Sequence, residues 1–444
     1  VQSPGLSISE IVETLTFQSG FNTNVVILGT TLLGFASGII GVFALLRKRA
    51  LMTDALSHAT LPGIAIAFLA AQSLGFQRRS IPILLIGATI SGVIGIVCIQ
   101  FILRHTRLRE DTAIGIILSV FFGAGIVGLS YVQSNAPNNS AGLNAFIYGQ
   151  AATMSSSDVI LMGSIAVIAV LATLLLLKEF TLVCFNDSFA KVDGWPVSIV
   201  DLLMMALVVI VTVAGLQAVG LILVVAMLII PPVSARFWTD RVWKLVLIAG
   251  LIGALSAYTG SVISALLPRK PAGAVIVLTS GVFFALSMFL APSRGVIAAS
   301  IRLLRIRLRI AGDHVLELSH DLNVSTIPNQ AFDELSRIRG WSLPLRWLLL
   351  RALKHDDSVV RLSNDGLVLS AKGVARGHRV ARNHMLWEQY LVSYADIAPS
   401  HVDWSVDQVE HVLSARLVAR LEQELAKQGI DIPPATPMKP GGAG

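Results

Sequence analysis

Charge is what this 444-residue sequence has least of: Asp, Glu, Lys and Arg make up 14% of it, against 54% hydrophobic residues. A soluble chain of this length rarely shows that balance, so a water-soluble globular enzyme is excluded for most of it. Cysteine is nearly missing. Cys98 and Cys184 stand far apart without metal-ligand spacing, which fits packing and argues against a disulfide. No G-x-x-x-x-G-K-[ST] phosphate loop occurs, and the dipeptide Gly-Lys is absent altogether, so any ATP that drives this protein is bound by another chain. No basic start precedes an apolar run, hence no signal-peptide pattern; the first residue is Val1, which leaves the true start open.

Long apolar runs are present instead. A crossing helix needs roughly 20 apolar residues, and nine candidate spans lie near 25–46, 50–74, 81–103, 112–132, 158–177, 199–217, 219–235, 244–266 and 273–291. The sixth and seventh nearly fuse around Gln217–Gly220, as one long segment or as a broken pair. Basic residues set the orientation. Arg47-Lys48-Arg49, Arg104/Arg107/Arg109, Lys178/Lys191, Arg236/Arg241/Lys244 and the group Arg302, Arg305, Arg307 and Arg309 fall on one side. Opposite lie the polar loop Gln133–Ser157 and two shorter exceptions, Arg78-Arg79 and Arg269-Lys270. The expectation is an N-terminus outside, with residues 6–18 as a weakly amphipathic surface segment, and a cytoplasmic C-terminal tail. The boundaries expected are 1–24 extracytoplasmic, 25–292 transmembrane, 293–310 a basic linker at the lipid headgroups, 311–432 a cytoplasmic domain and 433–444 a Pro/Gly-rich disordered end.

Asp54 and His58, at the mouth of the second span, share one helix face at i and i+4. A carboxylate and an imidazole so placed suit a divalent ion, and an ionised carboxylate in a bilayer costs roughly 2.5–3.5 kcal/mol on insertion scales. The plain alternative is a helix-end Asp beside a His bonded to a backbone carbonyl. Pro231-Pro232 removes backbone donors and serves as a flexing point or as ordinary helix termination.

Four motifs in one order carry a resemblance. They are Gly41-Val42-Phe43-Ala44-Leu45-Leu46-Arg47 running into Asp54-Ala55-Leu56-Ser57-His58-Ala59, then Asp111–Ile116, Phe185–Val197 and Gln217–Pro232, with Ala291-Pro292 closing the last span. Over about residues 20–295 the chain resembles the permease subunits of metal-ion ABC importers, which take up manganese, zinc or iron(II). The resemblance implies an all-α polytopic membrane domain of about 8–9 transmembrane helices and a permease dimer. It also implies two cytoplasmic ATPase subunits and an extracytoplasmic metal-binding protein as partners, and a place in the bacterial inner membrane. Asp54 and His58 become the transport ligands. The 185–197 segment becomes the short coupling helix that docks on the ATPase, with Asp187, Ala190 and Gly194 at the matching positions; by spacing alone it is a polar turn between spans.

The tail holds a second set of metal-type residues. Asp407, Glu410 and His411 converge on one helical face, and His384 and Glu388 form another i, i+4 pair; a solvated face is the ordinary reading of either. Leu369–Gly373, Gly377–Leu391 and Val409–Ser414 resemble the iron- and manganese-dependent transcriptional repressors. That resemblance implies an α+β winged-helix and helical domain in which His384, Asp407, Glu410 and His411 bind a regulatory ion, with Glu317 and His320 as first-helix candidates. The acidic residue at 407, in place of the Cys of iron-type members, is closer to the manganese pattern. The wing would be Val359–Ser370 with its Asn364-Asp365-Gly366 turn, and the recognition helix Ser342–Lys354.

Between 310 and 444 the chain carries 14 Lys/Arg against 16 Asp/Glu, a net of −2, where a DNA-binding domain usually shows a basic face. The expectation is therefore an importer permease for Mn²⁺, with Zn²⁺ or Fe²⁺ next, whose tail senses cytoplasmic metal and restrains transport. The alternatives are a metal-dependent DNA-binding tail, a structural dimerisation module, and a proton-coupled carrier that needs no ATPase.

Overall fold

The computed structural model describes residues 8–73, 81–135, 154–267, 271–363, 365–394 and 415–427, and the chain divides into two units, Val1–Ala299 and Ser300–Gly444. Among the described residues the first unit is wholly helical: α1 (Ile8–Leu15), α2 (Phe21–Leu46), α3 (Ala50–Ala59), α4 (Leu61–Ser73), α5 (Ile81–His105), α6 (Glu110–Asn135), α7 (Ser156–Leu175), α8 (Leu177–Phe185), α9 (Asp187–Val192), α10 (Val197–Val219), α11 (Leu221–Arg236), α12 (Val242–Leu266) and α13 (Ala272–Leu290).

Eight of the nine expected segments are long and apolar enough to cross a membrane, with α3 and α4 together counting as one crossing, Leu51–Gln72. The ninth, α11, has 16 residues, about 24 Å at 1.5 Å per residue and short of a ~30 Å hydrocarbon core. The near-fused pair is broken: Gly220, at φ 82°, separates α10 from α11. Pro231 and Pro232 lie inside α11, which continues to Arg236, so the prolines do not end it. On α5 the exposed Ile90, Ile94, Val97 and Phe101 follow helical spacing, an apolar stripe suited to lipid.

Small residues set how closely the helices approach, since lipid gives apolar side chains no preference for one another. Gly34 and Gly253 face each other across α2 and α12, where a Cβ on Gly34 would meet Gly253 O at 2.5 Å. A Cβ on Gly38 would meet Ala249 O at 2.3 Å, and one on Gly41 would meet Leu228 O at 2.0 Å. Thr30 and Ser261 hydrogen-bond across the α2–α12 seam at 2.7 Å. Outside the span pattern, α1 occupies part of the expected amphipathic segment and is held by Tyr258, whose hydroxyl donates to Leu15 O at 2.6 Å.

The second unit takes in most of α14 (Val296–Asp321), which carries Arg302, Arg305, Arg307 and Arg309 on its first half. It continues with β1 (Thr326–Pro328), α15 (Asn329–Ile338), α16 (Leu343–His355), β2 (Val359–Ser363), β3 (Gly366–Leu369), α17 (Ala371–Tyr394) and α18 (Ala415–Lys427). The antiparallel sheet runs β1–β3–β2. Its β2–β3 hairpin is the expected wing and α16 the expected recognition helix; Asn364, in the turn, lies outside the described residues. A Cβ at Gly366 would sit 2.0 Å from Ile327 O, so only glycine lets β1 pair there. Val315 and Leu316 pack with Ile327, Leu349, Leu353 and Leu367 to form the core beneath the sheet.

Candidate metal sites

Asp54 and His58 sit on α3, a short helix of good helix formers that stops where Pro62, lacking an N–H, opens the next one. At 1.5 Å per residue, Asp54 lies about 7 Å along the axis from Arg49, within the first two turns of the crossing. His58 Nε2 is 3.6 Å from Asp54 Oδ1, and its ring stands edge-on to Phe122 with centres 4.9 Å apart. His58 Nδ1 is buried and makes no hydrogen bond, so the carbonyl-bonded alternative is not what this nitrogen does. The Asp54 side chain is 41% exposed and that of His58 21%, leaving both within reach of an ion.

The segment after α8 forms a separate helix because Asn186 caps it, its Oδ1 accepting from Phe189 N at 3.0 Å. Ala190 is fully buried under this helix, α9, while Phe189 and Val192 point outward. Gly194, at φ 86°, turns the chain out of α9 in the left-handed region that glycine tolerates best. Asp187 receives Arg47 Nη1 at 2.8 Å. Nearby, burial pushes the Cys184 thiol up to about 12, away from the depressed range of a reactive cysteine.

Asp201, near the start of α10, is a functional candidate that the sequence reading missed. It is buried and pairs with both Arg47 and Arg49, at 2.9 Å and 2.6 Å. Arg49 also pairs with Glu110 at the start of α6, and Arg104 bonds Ser198. Burial works against the Arg49 charge, yet Asp201 and Glu110 outweigh it and hold the guanidinium above its ordinary value. A lone carboxylate inside the run Val197–Val219 was the signal available. The basic ends of α2 and α5, expected to share one side, meet at this cluster.

In the tail, Glu317 on α14 lies between two imidazoles: Oε1 is 3.4 Å from His384 Nδ1 and Oε2 is 3.8 Å from His314 Nδ1. His314 is a second residue the sequence reading missed, although it stands at i−3 from Glu317. His320 faces His378 instead, with ring centres 5.0 Å apart. Asp313 is taken up by Arg376 at 2.8 Å. Among the described residues no group of three or more His, Cys, Asp or Glu is closed around one point; His314, Glu317 and His384 form an open arc. Asp407, Glu410 and His411 lie outside the described residues, as does the Glu388 side chain. Imidazole and carboxylate donors are the set that suits Mn²⁺, Fe²⁺ or Zn²⁺.

Residues 21–291 match the model described as ABC 3 transport family, and residues 370–431 that described as iron dependent repressor, metal binding and dimerisation domain. The chain is 37% identical over 377 residues to the manganese transport system membrane protein MntC of Bacillus subtilis (strain 168), covering 85% of this chain and 86% of that protein. It is 42% identical over 290 residues to the zinc transport system membrane protein TroC of Treponema pallidum (strain Nichols), covering 65% of this chain and 96% of the relative. The solved structure of PsaBC from Streptococcus pneumoniae in complex with Fab shares its fold, with a TM-score of 0.56 at 29% identity over 65% of this chain and 98% of that one.

Proposed function

This chain belongs to the ABC 3 transport family, and on that footing we propose that it is the membrane-spanning permease of an importer whose cargo is Mn²⁺, with Zn²⁺ second and Fe²⁺ third. It is a multi-pass membrane protein and not itself an enzyme; separate cytoplasmic ATPase subunits supply the energy, and an extracytoplasmic protein delivers the ion. The carrying observation is His58, whose buried Nδ1 has no hydrogen bond while Nε2 faces Asp54 at 3.6 Å. A half-buried imidazole with a spare ring nitrogen beside a carboxylate is poised for a ligand. A second copy of the chain would double the donor set. Oxygen and nitrogen ligands do not choose among the three ions; the preference for Mn²⁺ comes from the manganese relative that aligns over most of the chain.

Two features support α9 as the docking segment for the ATPase. Its outward Phe189 and Val192 are apolar, and Ala190 fixes its inner face. The convergence of Arg47, Arg49 and Arg104 at one end supports placing that end in the cytoplasm.

The tail is read as a metal sensor. His314, Glu317 and His384 would hold the ion together with Asp407, Glu410 and His411. Inhibition then follows by linkage, because metal binds the restrained state more tightly than the active one. The net charge of −2 over residues 310–444 favours this over DNA reading, since a DNA-binding domain usually shows a basic face.

The deciding experiment is Mn²⁺ uptake by proteoliposomes that contain the permease, its ATPase and its binding protein. Asp54→Asn and His58→Asn should abolish uptake while leaving the amount of assembled complex unchanged. Wild-type uptake by both variants would overturn the site, and uptake without the ATPase would make the protein a secondary carrier.

A further inference from the structure

Asp201 is 6% exposed on an apolar crossing helix, where an ionised carboxylate persists when its lone pairs are fully claimed. They are claimed here by two neighbours in sequence. Oδ1 accepts from Arg47 Nε at 3.0 Å, and Oδ2 accepts from Arg49 Nη1 at 2.6 Å, with Gln100 Nε2 at 3.5 Å. Each arginine then reaches a second acidic partner: Asp187 on α9 for Arg47, Glu110 on α6 for Arg49. Arg47 Nη1 also donates to Val183 O on α8 at 3.2 Å. A continuous chain of charged hydrogen bonds therefore runs from α9, through Asp201, to the residue that begins α3. Guanidinium–carboxylate pairs are directional because the guanidinium is planar and rigid, so they pass on orientation as well as position.

The helix at the end of this chain is α3. Arg49 is its N-cap residue, no side chain caps the helix there, and the Arg49 ion pairs hold its first turn together with the buried Met52 and Thr53. At its far end α3 gives way to α4 at Thr60, just ahead of Pro62, so Asp54 and His58 lie on the first ten-residue piece of the crossing.

We propose that Asp201 is a positioning residue for transport: with Arg47 and Arg49 it carries displacement of α9 to α3 and thereby sets the geometry of Asp54 and His58. This rests on reading α9 as the docking segment and Asp54/His58 as the cargo site. Asp201 touches no cargo. Its role is to make the state of the ATPase felt at the metal ligands.

The test measures ATP hydrolysis and Mn²⁺ uptake on the same proteoliposomes containing the whole importer. Asp201→Asn keeps the shape and removes the charge. ATP hydrolysis should persist while Mn²⁺ moved per ATP falls about tenfold, within the range of ordinary coupling between two sites. Asp201→Glu should restore part of the ratio, which a mere packing defect would not do. Parallel loss of hydrolysis and uptake, or an unchanged ratio, would overturn the proposal. If Asp201→Asn does not assemble, Asp187→Asn cuts the same chain at a side chain 47% exposed; a wild-type ratio there also counts against it. Asp54→Asn in the same preparation separates the two readings. Normal transport by Asp54→Asn removes the cargo site, whereas an inactive Asp54→Asn beside a fully coupled Asp201→Asn removes only the linkage.

Discussion

His384 Nδ1 lies 3.4 Å from Glu317 Oε1, which joins α17 to α14 across the interior of the tail. The carboxylate is positioned to bridge, since its other oxygen faces His314. In the full-length protein carrying Asp54→Asn, so that only the tail binds, Glu317→Gln should weaken Mn²⁺ binding by at least the ~10–100-fold that loss of an outer-shell partner costs. His320→Ala should leave it unchanged. Calorimetric titration reads both, and equal affinity for Glu317→Gln and its parent would remove Glu317 from the site.

Docking on the ATPase should depend on the outer face of α9. Val192 is 88% exposed, so Val192→Asp cannot disturb a core. A charge placed in an apolar contact should cost about 2 kcal/mol or more of association. Co-purification of the ATPase should fall sharply with no change in the melting temperature of the permease alone. Retained co-purification would place the docking surface elsewhere.

Helix approach along α2 should tolerate no side chain. Gly38→Val points a Cβ at the Ala249 carbonyl, 2.3 Å away, and the neighbour is backbone. Overpacking of this kind costs about 1–3 kcal/mol. Gly115→Ala, with nothing within 4 Å, is the control. Thermal unfolding in detergent should separate the two; matched melting temperatures would mean that α2 and α12 can slide apart cheaply.

Acid should loosen the tail near Asp356. Lys372 hydrogen-bonds this carboxyl and holds it below its ordinary value of 3.8, opposed by burial and reinforced by Ser358 and Arg376. A depressed carboxyl adds stability that is full above the unfolded value and is lost as pH falls through the folded one. The pairs are exposed, so the amount is within about 1 kcal/mol. Amide exchange around residues 356–376 should speed up as pH drops below 3.8, and Asp356→Asn should flatten that response. An identical profile in the variant would assign the acid sensitivity to other carboxyls.

Helix content and both families were legible because they are written in local pattern: apolar runs of span length, the Asp54/His58 spacing, and the wing around Gly366. Asp201 was not, because its partners Arg47 and Arg49 look like ordinary positive-inside residues until the fold turns them back toward α10. His314 was hidden for a related reason. One histidine among the polar residues of α14 has no meaning until α17 brings His384 to the same carboxylate. The α10–α11 break was visible only as two options, since Gly220 permits a positive φ without requiring one.

The interruption between α3 and α4 divides one crossing into two packed parts. Pro62 has no N–H to offer the His58 carbonyl, but Ser91 of α5 supplies a hydroxyl to Ala59 O at 2.6 Å and Thr60 supplies one to Ser57 O at 2.6 Å, so the joint is stitched both from the side and along the axis. Beyond it, α4 is clamped: a Cβ on Gly63 would strike Gly87 O at 2.1 Å, and one on Gly125 would meet Leu61 Cβ at 2.6 Å. The ten residues that carry Asp54 and His58 are themselves held in the bundle, with Met52, Ala55 and Leu56 in its core, so any change in how these two side chains face one another is felt by the helices packed around them.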